Sequence, residues 1–273
     1  MPELAEVEFF RRRWQEAAPG KIARVAAHGR ARVLRGVPPG ALGRALVGQR
    51  LRGSEAAAKQ MLFRFGSRAW LGVHLGMSGE LRVEPADYAP GRHDHLVLFT
   101  ARRALVYSDP RMFGRIRLHL GPEPPAWWTR IAPPVLSAAF TPEAVAAFLA
   151  RRARAPIKAV LLMQERFPGI GNWMADEVLW RAGIHPRRAA GSLRPPEIRA
   201  LWRECRRVCE QALRVIAGRG GPLPADINVD VPRGWLLPHR WEDGGRCPRT
   251  GAPLRREVIG GRMTCWSPGR QKP

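Results

Sequence analysis

The sequence predicts an α+β protein of two domains: an N-terminal antiparallel β-sandwich flanked by helices, then a C-terminal helical domain ending in a β-hairpin. Three patterns carry this. Residues 21–120 form short runs of alternating apolar and polar side chains, such as GELRVE and GRIRLHL, broken by turn residues. Residues 141–217 place apolar side chains at helical spacing. Residues 241–273 read as a small hairpin. A chain of 273 residues is long enough for two modest cores.

Taken in order, Leu4, Val7 and Trp14 lie on one face of a first helix, and Pro19-Gly20 ends it. The strands complete a first domain over residues 1–130. Residues 121–140 are rich in proline, and 131–140 are expected to be a linker. The helical domain spans 141–225. TPEAVAAFLARR opens it with a Thr N-cap and a nearby acid. Two further helices, PIKAVLLMQERF and NWMADEVLWRAGI, flank Pro168-Gly169-Ile170-Gly171-Asn172. Glycines there permit a tight turn, and Asn172 is expected to cap a helix whose N-terminus attracts phosphate. Cys205 and Cys209 lie four apart in the next helix, which suits packed thiols better than a disulfide. Residues 218–240 are irregular, and the hairpin occupies 241–273.

The formal net charge is +23, from 46 basic and 23 acidic residues. Such an excess calls for a polyanionic partner, nucleic acid first. No stretch is apolar enough to cross a membrane, and the N-terminus lacks a basic-then-apolar leader. A soluble cytoplasmic monomer is the expectation. Lysines are only four, at 21, 59, 158 and 272, in a chain crowded with arginine. A lysine that persists against that bias carries more information than any one arginine.

The chemistry concentrates at the start, Met1-Pro2-Glu3-Leu4-Ala5-Glu6. Removal of Met1 turns Pro2 into a free secondary amine, and a terminal amine titrates near ~8 rather than the ~10.4 of lysine. Attack of such an amine on a sugar C1′ gives an iminium, an electron sink that assists base loss and elimination of phosphate. Glu3 is placed to act as general acid on the sugar.

Several blocks, in order along nearly the whole chain, resemble the formamidopyrimidine-DNA glycosylase/endonuclease VIII family. MPELAEVE is similar to the family's MPELPEVE. HLGMSG at 74–79 and DPRMFG at 109–114 resemble its intercalation loops. IKAVLLMQERFPGIGNWMADEVLWRAGIHP resembles its helix-two-turn-helix, and GGRMT at 260–264 its hairpin finger. The resemblance implies a bifunctional base-excision enzyme acting on double-stranded DNA that contains damaged bases or abasic sites. Pro2 would be the Schiff-base nucleophile, Glu3 the acid at the sugar, and Glu6 a second carboxylate in the pocket. Lys59 would bind phosphate beside the lesion, and Asn172 and Arg262 would grip the phosphates around the flipped nucleotide, with a contribution from Lys158. Met77, Arg111 and Phe113 would fill the gap left by the extruded base.

Two departures from the family pattern matter. The family's zinc-binding C-x2-C-x16-C-x2-C spacing falls here on Cys247, Thr250, Ser267 and Arg270. Arginine cannot ligate zinc, and neutral hydroxyls are poor substitutes for thiolates. The implied finger is zincless, like that of plant formamidopyrimidine glycosylases, with no cofactor. Leu254, Val258, Ile259 and Trp266 are expected to supply its packing. The capping loop of 8-oxoguanine specialists is not evident in AGRGGPLPADINVDVPRGW. Weak action on 8-oxoguanine and better action on ring-opened formamidopyrimidines and abasic sites follow. A non-catalytic nucleic-acid-binding paralogue and an endonuclease VIII-like enzyme for oxidised pyrimidines are the alternatives.

Overall fold

The computed structural model describes every residue except Pro19, Arg30, Pro39, Glu242, Asp243 and Pro273. The chain divides into two compact units, Met1–Ile131 and Ala132–Pro273. The proline invoked to end the first helix lies outside the described residues.

In the first unit, helix α1 (Leu4–Ala17) buries Ala5, Val7, Phe9, Phe10 and Trp14. Pro2 precedes this helix and Glu3 is its N-cap, so the proline stands outside the first turn. Strand β1 (Arg24–Ala27) and short helix α2 (Ala41–Leu46) follow. Seven strands complete the unit: β2 (Leu51–Ala57), β3 (Gln60–Phe65), β4 (Ala69–His74), β5 (Glu80–Pro85), β6 (Asp94–Phe99), β7 (Arg103–Ser108) and β8 (Arg115–Leu120). They form two four-stranded antiparallel sheets, ordered β1-β6-β7-β5 and β2-β3-β4-β8. Helix α1 packs on β2 and β3 of one sheet and on β5 and β7 of the other. The centre strands β4, β6 and β7 are buried almost throughout, so they read as continuous apolar runs rather than alternating ones.

Helix α3 (Ala126–Thr129) closes the first unit, and the chain enters α4 (Pro142–Ala150) of the second through Thr141. That threonine caps the helix by accepting from the Ala144 N–H at 3.2 Å. Of the segment 131–140, expected to be a linker, Ile131 ends the first unit and residues 132–140 are bound to the second. Val135 and Phe140 are buried, and Arg206 donates to the carbonyls of Val135, Leu136 and Ser137. Prolines mark irregular backbone, but irregular backbone is not free chain when its carbonyls have buried partners.

Helices α5 (Ile157–Leu161), α6 (Asn172–Ala182) and α7 (Pro195–Ala212) make up the rest of the helical body. A π-helical turn, Leu213–Ala217, extends α7. Cys205 and Cys209 form no disulfide and are buried in α7. The hairpin β9 (Arg255–Ile259) and β10 (Arg262–Trp266) packs on α6 and belongs to the same unit. Among the described residues no helix is long and apolar enough to cross a membrane.

Candidate active site and nucleic-acid interface

The start of α1 is fixed by its own carboxylates. The Glu3 N–H donates to Glu6 Oε2 at 3.1 Å, within a reciprocal capping box. Both glutamates are buried, whereas Pro2 is partly exposed and Met1 is 46% exposed. The Met1–Pro2 bond is therefore accessible, and Pro2 is anchored to a helix end. Glu6 does local structural work by holding the Glu3 backbone.

Lys59 occupies a two-residue turn, Ala58-Lys59, closed by the pair Ala57–Gln60 of β2 and β3. Ala58 adopts φ 55°, a left-handed conformation that costs an L-residue about 1–2 kcal/mol. The lysine is buried to 9% exposure. Its neighbour Gln60 pairs with His74 at the end of β4. Burial, then the charges of Lys59 and Arg117, hold His74 below the ordinary imidazole range. The Gly76 N–H donates to His74 Nδ1 at 3.1 Å, which leaves Nε2 as the protonated nitrogen. His74 lies inside HLGMSG, but only the pairing of β3 with β4 brings it to Lys59.

Met77, Arg111 and Phe113 are all exposed, on two loops of this same unit. The Arg111 guanidinium lies 4.9 Å from the Phe113 ring centroid. A Cβ on Gly76, which has φ 65°, would lie 2.4 Å from the Phe113 carbonyl carbon. The loops touch where only glycine fits.

The second unit brings Asn172 and Arg262 together. Gly260 and Gly261 have φ 60° and 75°, as a two-residue I′ hairpin turn requires, and Arg262 follows them on the exposed end of β10. A Cβ on Gly260 would sit 2.6 Å from Ala159 Cβ, so the hairpin tip rests directly on α5. Asn172 Nδ2 donates to the Met263 carbonyl at 2.8 Å. Asn172 is the first residue of α6 and not its cap, which is Gly171. Its amide is engaged by the finger rather than by the helix end.

Lys158 is placed differently from its expected role. It is 0% exposed, and its ammonium donates to the Asn172 carbonyl at 2.7 Å and to Asp176 Oδ1. The other Asp176 oxygen accepts from Arg240 Nη2 at 2.6 Å and from the Cys265 N–H at 3.1 Å. A sealed ammonium with these partners cannot bind phosphate. Lys158 instead braces α5, α6 and the hairpin.

Of the four zinc-spaced positions Cys247, Thr250 and Ser267 converge, without becoming a metal site. Trp180 Nε1 donates to Cys247 Sγ at 3.3 Å. Although burial alone would raise the Cys247 thiol, the hydroxyls of Ser267 and Thr250 and the Trp180 N–H bring it down to about 7. Arg270 donates to the carbonyls of Trp180 and Arg181. One thiol, two neutral hydroxyls and a guanidinium do not fit zinc. Among the described residues no cluster of three or more His, Cys, Asp or Glu side chains is disposed to hold a metal ion.

Leu254 packs beside buried Trp180, Leu236, Cys247 and Cys265, while Ile259 is buried and Trp266 stands edge-on to His185 at 4.3 Å. Val258 departs from expectation: it is 58% exposed and pairs across the hairpin with exposed Met263. Residues 218–235 are irregular, with Arg219 paired to Asp230 and Val231 and Trp235 buried.

The chain thus pairs a two-sheet unit that starts Met1-Pro2-Glu3 with a helical unit that carries a glycine turn before α6 and a basic hairpin. Residues 1–116 match the formamidopyrimidine-DNA glycosylase N-terminal domain, and residues 131–220 match the formamidopyrimidine-DNA glycosylase H2TH domain. A formamidopyrimidine-DNA glycosylase of Halorhodospira halophila is 36% identical, and one of a Roseiflexus species is 37% identical, each over 100% of both chains. Formamidopyrimidine-DNA glycosylase of Lactococcus lactis, solved with DNA containing an oxidised pyrimidine, superposes with a TM-score of 0.87 at 27% identity over 100% of both chains. A point mutant of the same enzyme, solved with DNA containing Fapy-dG, gives 0.88 at 27% identity and the same coverage. The chain belongs to the formamidopyrimidine-DNA glycosylase family.

Proposed function

We propose that this chain is a bifunctional glycosylase and abasic-site lyase of base-excision repair, with double-stranded damaged DNA as its substrate. The observation that carries the reading is the N-terminus: an accessible Met1-Pro2 bond on a helix start locked by Glu3 and Glu6.

After Met1 is removed, the Pro2 nitrogen attacks C1′ of the damaged nucleotide. The bond to the base breaks, and the base leaves with a proton. Glu3 supplies a proton to the ring oxygen as the sugar opens, which gives the cationic iminium. Loss of a C2′ proton expels the 3′ phosphate (β-elimination). A second proton loss, from C4′, expels the 5′ phosphate (δ-elimination). Water then hydrolyses the iminium and frees Pro2. Lys59, Asn172 and Arg262 hold phosphates through these steps, and Met77, Arg111 and Phe113 occupy the space of the extruded nucleotide. The finger works without metal, and no cofactor takes part.

Ring-opened formamidopyrimidines and abasic sites are the preferred substrates, and 8-oxoguanine a poor one, because residues 218–235 do not carry the capping pattern of 8-oxoguanine specialists. The Lactococcus complex with an oxidised pyrimidine favours a second, broader reading in which such pyrimidines are also removed.

Borohydride tests the nucleophile. The enzyme on abasic DNA should yield a trapped covalent adduct, and Pro2→Gly should lose most of it. An undiminished adduct in that variant would place the nucleophile elsewhere. Cleavage of duplexes bearing formamidopyrimidine, 8-oxoguanine, thymine glycol or an abasic site ranks the lesions. Tight binding with no cleavage of any of them would mark a non-catalytic paralogue.

A further inference from the structure

The two loops that carry Met77, Arg111 and Phe113 cross between the sheets of the first unit. One leaves β4 of one sheet and enters β5 of the other. The second leaves β7 and enters β8, in the reverse sense. Each alone would be a short exposed connection, free to move.

They are joined by one carboxylate. Asp109 is 0% exposed. Its Oδ1 accepts from the Ser78 hydroxyl of the first loop at 2.7 Å and from the Arg111 N–H at 3.3 Å. Its Oδ2 accepts from the Gly114 N–H at 2.8 Å and from the Tyr107 hydroxyl at 3.4 Å. Burial, then the adjacent carboxylate, push the Tyr107 phenol up, which keeps it a donor. The backbone of Asp109 is fixed as well. Its N–H donates to the His93 carbonyl at 3.0 Å, and its carbonyl accepts from Met112 N at 3.1 Å and from His95 Nε2 at 3.0 Å. Glycine contacts leave no slack. A Cβ on Gly114 would lie 1.9 Å from the Tyr107 hydroxyl oxygen, and one on Gly76 would strike the Phe113 backbone.

We infer that Asp109 and Ser78 are positioning residues that bind the two loops into one preformed wedge, so that Met77, Arg111 and Phe113 enter the duplex as a unit. This rests on the wedge role proposed above for those three side chains. Three exposed side chains on separate mobile loops would each have to be ordered at the moment the damaged base leaves the stack. A buried carboxylate with four donors makes that ordering part of folding instead. The contribution falls on base extrusion, because Asp109 is sealed from solvent and the Ser78 hydroxyl is directed to it. A nucleotide that has no base to unstack should need the wedge least.

The test compares two substrates under single-turnover conditions. Ser78→Ala removes one hydroxyl and the only side-chain bond it makes to Asp109. Asp109→Asn places an amide N–H against groups that are themselves donors. Both should slow excision of formamidopyrimidine from a fully paired duplex by about 10-fold, the cost of one missing charge-assisted hydrogen bond. Strand cleavage at an abasic site should change by less than about 2-fold on the same scale. A 2-aminopurine opposite the lesion should brighten more slowly, in step with excision. If Asp109→Asn does not fold, Ser78→Ala carries the test alone.

Equal losses on both substrates would overturn the inference, since they would show a general structural role. So would wild-type excision by a folded Ser78→Ala variant. Met77→Ala/Phe113→Ala separates the inference from its premise. Undiminished excision by that double variant would remove the wedge itself. Slowed excision there beside unaffected Ser78→Ala and Asp109→Asn would leave the wedge standing and remove only its clip.

Discussion

Lys158→Met distinguishes two physically different roles for the same lysine. If Lys158 neutralised one phosphate, its removal would lower the slope of log K against log salt by about 0.9, with little effect on stability. The structure argues for the opposite pattern. The ammonium is fully buried and bonded to Asp176 and to the Asn172 carbonyl. Breaking a buried ion pair costs about 3–5 kcal/mol. Asp176 retains Arg240 and the Cys265 N–H, so the lower end, about 3 kcal/mol, applies. Urea unfolding followed by tryptophan fluorescence should show that loss. Anisotropy titrations of a duplex at several salt concentrations should show an unchanged slope with weaker binding overall. Arg262→Ala, at an exposed position, should behave in the reverse way, with a slope lower by about 0.9 and an unchanged unfolding midpoint. A reduced slope with wild-type stability in Lys158→Met would refute the bracing role.

Three further outcomes follow from single positions. Gly260→Ala forces a Cβ into the space of Ala159 Cβ at a backbone angle that only glycine adopts freely, so duplex affinity should fall as the hairpin tip lifts from α5, measured by anisotropy. Ala58→Gly relieves a left-handed alanine and should stabilise the first unit by about 1 kcal/mol in urea unfolding. Cys247 titrates near 7 in the folded chain, below a free thiol, so its thiolate stabilises the fold fully above the free-thiol value near ~8.5, and that stabilisation disappears as pH falls through 7. Cys265, pushed up to about 12 by burial, and Cys205, also raised, act in the opposite sense at high pH. The Cys247 contribution is therefore the difference between wild type and Cys247→Ser in the unfolding midpoint from pH 6 to 9, and it should grow with pH.

The elements that local pattern controls were legible in advance. The helix at Leu4–Ala17, the strand-rich first half and the Thr141 cap follow from side-chain periodicity and capping chemistry. Motifs on exposed turns were legible too: Met77, Arg111, Phe113 and Arg262 all lie on the surface, where a ligand could meet them. What could not be read were partnerships between distant residues. Lys158 reads as a phosphate ligand because the family resemblance assigns it that role and the sequence does not show its partners. Only the fold brings Asp176 and the Asn172 carbonyl to its ammonium. The segment 131–140 reads as a linker because proline count reports backbone shape and not the arginine that binds its carbonyls. Val258 looked like core because hydrophobicity does not reveal which face of a two-stranded hairpin is covered.

The hairpin rests on hydrogen bonds and packing, since the residues at the zinc-spaced positions do not fit that metal. Zinc holds a hairpin by joining four side chains at one centre, and its loss should free the two chain ends. Here the joining is distributed. Asp176 binds the Cys265 N–H from below, Asn172 holds the Met263 carbonyl beside the tip, and Gly260 seats the turn on Ala159. Ser267 N–H donates to the Gln271 side chain, whose own amide donates to the Ile184 carbonyl, tying the C-terminal end to the segment just after α6. These contacts surround Arg262, which is itself exposed. Each is individually modest, so their effect depends on all being present together. Variants that remove two of them should lose more affinity than the sum of the single losses, as expected for bonds that share one small hairpin.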